Sequence, residues 1–266
     1  MNLKRTWAIF LRQLYIIRNL PSRVVPYFLW AVLDVVMWGF ITRYLFAVGA
    51  ETFSIVPTLL GAVILWDFLS RVRDGITIPF LEDVWTNNLL NIFASPLRLY
   101  EYIGGFVIMS ITTSIFGLAV MLVLARFAFG FSLFSLGLAL APFFLILLLF
   151  GIALGILSAS IVFRFGPYAE WFVWPIPAVL NLFVGVFYPV SVLPGWMQLI
   201  SYALPPTYVF EGMRSVLLSG TLDARALALG FALTLVYILL AYGVFWWVYR
   251  LVVRSGLLSR FSAGGA

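Results

Sequence analysis

Six stretches of the sequence come close to the length that a helix needs to cross a lipid bilayer, and this limits the fold more than any other feature. A hydrocarbon core of about 30 Å takes about 20 helical residues. Residues 26–48, 55–70, 102–127, 136–163, 170–188 and 224–249 qualify, the second being the shortest. Lipid offers the backbone no hydrogen-bond partners, so such stretches have to be helices. The predicted fold is therefore an all-α integral membrane protein with six transmembrane helices. Composition agrees: 10% of the 266 residues are charged, against about 25% in a soluble domain.

Residues 207–218 do not add a seventh span, because a dozen residues rise only about 18 Å as a helix. Pro194, Gly195, Pro205 and Pro206 break up the segment before them. Residues 190–220 therefore read as a re-entrant helical hairpin before the last span, a shape tolerated only where protein buries the broken backbone. Basic residues set the direction, since Lys and Arg collect on the cytoplasmic side. With six spans and both termini cytoplasmic, twelve of the 16 Lys and Arg lie inside and only Arg43, Arg126, Arg214 and Arg225 lie at the outer side. A seventh span would move Arg250, Arg254 and Arg260 outside. These scattered basic ends account for the net charge of +6 without nucleic acid, which calls for one basic stripe.

Cysteine and histidine are absent and Lys4 is the sole lysine. That removes thiolate and imidazole metal ligands and any G-x-x-x-x-G-K-[ST] phosphate loop. The chain is expected to be no enzyme and to hold no cofactor or metal of its own, with any ATP bound by another subunit. Residues 1–25 lack the compact apolar run and cleavage site of a signal peptide and are expected to remain as an N-terminal amphipathic cytoplasmic interface helix. Residues 26–250 form one transmembrane domain and 251–266 a cytoplasmic tail.

Within 3–17, Leu3, Trp7, Phe10, Leu11, Leu14 and Ile17 share one helical side, with Arg5 and Arg12 opposite and Ile9 and Ile16 interrupting the polar face. The bland alternative is a basic flank that only orients the first span. Residues 78–94 read as a short amphipathic cytoplasmic helix. Pro79 suits a first turn, Glu82 and Asp83 complement the positive helix end, and Leu81, Val84, Trp85, Asn88, Leu89 and Ile92 share a face. An apolar face with exposed amides suits docking into a groove of a soluble partner; the alternative is a helix lying on the lipid surface, which its acidic start disfavours.

Asp34, Arg43 and Asp67 lie within predicted spans, where each costs about 2.5–3.5 kcal/mol at a helix centre, so each should face protein or water. Tyr27, Trp30, Asp34, Trp38 and Ile41 recur at helical spacing, and with Asp67 they give a candidate translocation path: Tyr27, Trp30, Asp34, Trp38 and Asp67. The alternative has Asp34 hydrogen-bonded within the bundle and the tryptophans in lipid. Glu211 and Arg214 stand at i, i+3 and can pair. Gly104, Gly105, Gly117, Gly151 and Gly155 permit close helix approach, the last two as GxxxG.

The order of these parts resembles an ABC-2-type transporter permease. Glu82-Asp83-Val84-Trp85, Ala94-Ser95-Pro96-Leu97, Phe187-Tyr188-Pro189, Leu193-Pro194-Gly195-Trp196 and the run from Leu204 to Arg214 are similar to that family's recurrent patterns. Pro205-Pro206 stands where family members commonly carry Asn-Pro. The resemblance implies the membrane half of an ATP-driven exporter in a bacterial-type cytoplasmic (inner) membrane, moving an amphipathic, lipid-linked, polysaccharide or drug-like substrate outward. It implies a second permease copy, with the homodimer as the leading expectation, and cytoplasmic nucleotide-binding subunits that hold ATP and Mg. It makes 78–94 the coupling helix, with Glu82, Asp83, Trp85, Asn88 and Leu89 receiving the ATPase movement, and Pro205, Pro206, Tyr208, Glu211 and Arg214 the outer gate. Two other classes compete: an ion-coupled secondary transporter, opposed by the scarcity of buried acids and of an inverted repeat, and an intramembrane lipid-modifying enzyme, opposed by the lack of a His or Cys partner for Asp34 and Asp67.

Overall fold

Helix is the regular structure found among the described residues, and its breaks fall where the backbone loses a donor or turns left-handed. The computed structural model describes residues 2–19, 21–47 and 55–255. In chain order the α-helices are α1 (Leu3–Asn19), α2 (Pro21–Ala47), α3 (Ile55–Trp85), α4 (Leu89–Ala94), α5 (Leu99–Phe129), α6 (Leu140–Phe165), α7 (Glu170–Val173), α8 (Pro175–Val184), α9 (Gly195–Ala203), α10 (Pro205–Ser219) and α11 (Ala224–Arg254). Left-handed Gly130, Gly185 and Gly220 close α5, α8 and α10, the conformation that lets a chain leave a helix without a Cβ clash. Asp223 opens α11 by accepting the N–H groups of Arg225 and Ala226 at 2.9 and 3.1 Å, which satisfies two otherwise orphaned donors.

The centre of the bundle is α3, packed between α5 and α6. Apolar side chains gain nothing by leaving lipid for protein, so close contact in a membrane relies on small residues that let backbones approach. A Cβ placed on Gly75 would lie 2.7 Å from that of Ser110 in α5, and Ser110 Oγ donates to the Val72 carbonyl at 2.6 Å. On the other side Gly151 and Gly155 of α6 receive Val72 and Ile76, whose Cβ atoms would stand 2.8 and 2.9 Å from an added methyl. The GxxxG pair is thus an α3–α6 contact inside the chain. Two aromatic-rich cores flank these seams, one around Phe143, Phe150 and Phe210, the other around Phe80, Tyr102, Phe163 and Phe245.

Three helical stretches, Leu99–Phe129, Leu136–Val173 and Ala224–Arg254, are long and apolar enough to cross a membrane by length and composition. Helices α2 and α3 run for 27 and 31 residues. Several boundaries differ from the sequence expectation. The stretch expected to end at residue 70 continues as α3 to Trp85, with Pro79 inside it, so Arg71 and Arg73 are helix residues rather than loop residues. A proline inside a helix removes one backbone hydrogen bond and crowds the preceding turn, a cost offset here by the burial of Ile76, Phe80 and Leu81 in one core with Tyr102 of α5 and Phe163 of α6. The coupling helix expected over 78–94 is consequently two pieces, the end of α3 and α4, separated at Thr86–Asn88 where Asn87 has φ 53°. The stretch 170–188 ends at Gly185 and is divided at Trp174, because Pro175 and Pro177 cannot donate to the preceding turn. The hairpin region holds α9 and α10. Residues 256–266, most of the expected tail, lie outside the described residues, as does the side chain of Tyr27.

Candidate functional site

Where α3 ends, three helices meet on one carboxylate. Asp83, 2% exposed, accepts from Arg12 of α1 through both oxygens, one contact being 2.8 Å. Tyr102 Oη of α5 donates to it at 2.6 Å and Asn88 Nδ2 at 3.3 Å. A buried carboxylate is tolerable only when its lone pairs are filled this way. The hydrogen bond to Asp83, more than the accompanying charge attraction, holds the Arg12 guanidinium above its usual pKa, while desolvation works against it.

A second carboxylate ties the start of α1 to α5. Glu101, in the first turn of α5, accepts the N–H of Arg98 at 3.0 Å and that of Asn2 at 2.8 Å. Arg5 stands 3.7 Å from it and donates to the Pro96 carbonyl. Helix α1 then lies on α5 through a glycine: a Cβ on Gly105 would lie 2.5 Å from that of Ile9. The buried face of α1 is therefore Thr6, Ile9, Phe10 and Gln13. Of the face expected from the apolar pattern, Phe10 is buried, whereas Leu3, Trp7 and Leu14 are exposed. Ile9, which reads as an interruption of the polar face, is the residue that docks the helix.

These contacts separate the expected coupling residues. Asp83 and Leu89 are buried and hold the corner in place. Trp85, at 46% exposure, projects from it. Thr86 and Asn87 are also exposed, Asn88 is half-buried, and Glu82 is half-buried beside Gln13, Ile16 and Pro79. What could dock a partner is thus the turn from Trp85 to Asn88 rather than one face of a longer helix. Gly105, expected to permit close helix approach, admits Ile9 of α1, whereas Tyr102 and Glu101 are positioning residues that the sequence reading missed. The one sequence signal for them was an acid three residues after Arg98, at the position where a side chain reaches back to cap a helix start.

The path candidates divide as well. Trp30 faces outward at 66% exposure, whereas Trp38 stacks on Phe187 with ring centroids 4.4 Å apart. Asp34 is half-buried and within electrostatic reach of Asp67 and Arg71. Asp67 is ion-paired to Arg71 one turn on, and the Arg71 side chain lies on Gly117 of α5. The two acids expected to face protein or water thus share Arg71 as a neighbour, and further along α3 stands the Arg73–Asp74 pair at 3.1 Å, whose Arg73 donates to the Val173 carbonyl at 2.8 Å.

At the other end of α3, Gly61 meets Met213 of α10. Here Arg214 donates to the Gly185 carbonyl at 2.7 Å, to Val186 at 3.2 Å and to Glu211 at 2.9 Å, and Glu211 in turn accepts the Val190 N–H at 2.7 Å. The pair anticipated from i, i+3 spacing therefore clamps the 185–190 loop to α10. Ser201 Oγ donates to the Phe183 carbonyl at 2.6 Å, and Thr207 Oγ1 to the Ser201 carbonyl at 2.7 Å, fixing α9 between α8 and α10. Pro205 and Pro206 are buried in the first turn of α10, where a missing N–H costs nothing. Tyr208 Oη donates to the Tyr202 carbonyl at 2.8 Å. A family model described as ABC-2 type transporter matches residues 6–218, which takes in both ends of this arrangement. No curated protein matches the chain.

Proposed function

Because this chain belongs to the ABC-2 type transporter family, and so is the transmembrane subunit of an ABC-type transporter, we propose that it is the permease of an ATP-driven exporter whose drive enters at the corner between α3 and α4. A family of this kind normally works with a separate ATP-binding subunit, which would hold the ATP and Mg. The observation that carries the reading is the Asp83 node. It locks the exposed Trp85–Asn88 turn to α1 and α5, so force applied to the turn moves three helices together instead of bending a loop. A rigid element that responds to a partner's closure is what a gating step requires.

In this reading six segments cross the inner membrane, both termini are cytoplasmic, two copies pair, and cargo leaves between them. Asp34, Asp67 and Arg71 form a polar point along the way. The Glu211–Arg214 clamp holds the outer hairpin, and the amphipathic, lipid-linked, polysaccharide or drug-like cargo passes beneath it. The decisive experiment uses the absence of cysteine. Thr86→Cys provides one thiol on the corner, and crosslinking it in the assembled transporter should capture the ATP-binding subunit, with ATP changing the yield. Capture from the opposite side of the membrane, or transport that persists when the corner is crosslinked to nothing and deleted, would overturn the assignment.

A further inference from the structure

A cleft between α5, α6 and α11 plays no part in the transport reading. Leu99, Ile103, Val107, Ile156, Phe245 and Trp246 line it, together with two tyrosines, around a cavity of about 210 Å³. Every lining residue belongs to one of the three stretches able to cross a membrane, so in a bilayer the cleft is bathed by lipid chains. Gly104 leaves part of its floor without a side chain.

The rim is basic. Arg98 donates to Tyr100 Oη at 2.7 Å, with its guanidinium carbon 5.9 Å from the ring centroid. Arg250 stands 4.9 Å from the Trp246 ring. Tyr100 and Trp246 both line the cleft, one at the start of α5 and the other near the end of α11, so each cation is held on a ring of the cleft wall. Glu101, in the same turn as Arg98, is buried and accepts backbone N–H groups. Arg98 gives one donor to the Tyr100 hydroxyl and Arg250 meets Trp246 through its face, and the remaining edge donors of both match the oxygens of a phosphate. Aromatic rings beside basic residues at a helix end also mark headgroup depth.

We propose that this cleft binds an anionic phospholipid of the surrounding bilayer, one acyl chain against Ile103, Val107 and Ile156 and its phosphate between Arg98 and Arg250. The proposal requires only that the three helices span a membrane, and so stands or falls apart from the direction of transport. An overall negative headgroup is selected because two cations face it, whereas a zwitterionic lipid brings its own compensating ammonium.

The full chain is reconstituted in phosphatidylcholine nanodiscs carrying a minor fraction of phosphatidylglycerol with a photoreactive acyl chain, and the labelled peptides are mapped. Label should concentrate in 99–107 and 242–250 and be displaced by unlabelled phosphatidylglycerol but not by added phosphatidylcholine. Removing charge with Arg98→Gln and Arg250→Gln should lower labelling about fivefold for each arginine, the factor for about 1 kcal/mol of attraction to an anionic headgroup. Val107→Trp, which fills the floor, should abolish labelling with both arginines present. Label spread evenly over lipid-facing segments, equal competition by phosphatidylcholine, or unchanged labelling in the glutamine variants would overturn the proposal. The wild-type map and competition decide the matter even if a variant fails to fold.

Discussion

At one end of the molecule Arg12 reaches Asp83 across 71 residues of sequence, and at the other Arg214 reaches Glu211 across 3. The same two chemical groups do different things. Gly61 and Asp83, which mark the two ends on α3, are about 33 Å apart at helical rise. The long-range pair joins three separate helices around one acceptor, so the helices move as a unit. The short-range pair is made within one turn, and its surplus donors hold the carbonyls of an adjacent loop. An ion pair that spans elements fixes the relation between them, whereas one within an element serves as a pre-oriented clamp for whatever lies beside it.

Removing the clamp should be the more damaging change. Arg214→Ala strips donors from Gly185 and Val186 in a buried setting, and about 3 kcal/mol of stability should be lost in detergent unfolding. Asp83→Ala leaves Arg12 and Tyr102 facing an empty acceptor, but Arg12 is partly solvated, so the loss should be about 2 kcal/mol. A double-mutant cycle with Arg12→Ala should return a coupling of about 1 kcal/mol; a coupling of zero would remove the node from the comparison. Gly105→Ala pushes Ile9 and α1 off α5 and should cost about 1.5 kcal/mol, while loosening the corner more than the hairpin by hydrogen exchange. Trp85→Ala should change stability by less than about 0.5 kcal/mol, as exposed positions do, yet sharply lower transport-linked ATPase activity in the complete transporter. A large stability loss there would mean that Trp85 belongs to the packing rather than to the docking surface.

Local spacing was readable and distance in sequence was not. Glu211 and Arg214 sit three residues apart, and their pairing follows from helical geometry alone. The prolines and Gly220 that bound α10 follow from backbone chemistry in the same way. Arg12 and Asp83 carried no mark of each other, since neither hydropathy nor spacing encodes a contact between distant helices. Pro79 misled because proline at a first turn and proline within a supported helix look alike in sequence; only the packing of α3 between α5 and α6 decides. Ile9 misled for a related reason. An apolar pattern ranks faces by greasiness, but α1 docks where a glycine admits it, and Gly105 sits on another element.

Gly151 and Gly155 are already covered by α3, which has a consequence for assembly. The smoothest strip that the sixth helix could offer to a neighbouring molecule is occupied from within its own chain. A second copy meeting this helix would have to pack on its remaining, bulkier side chains, with helix axes standing farther apart and fewer backbone atoms touching. A seam of that kind separates more readily than a glycine-lined one.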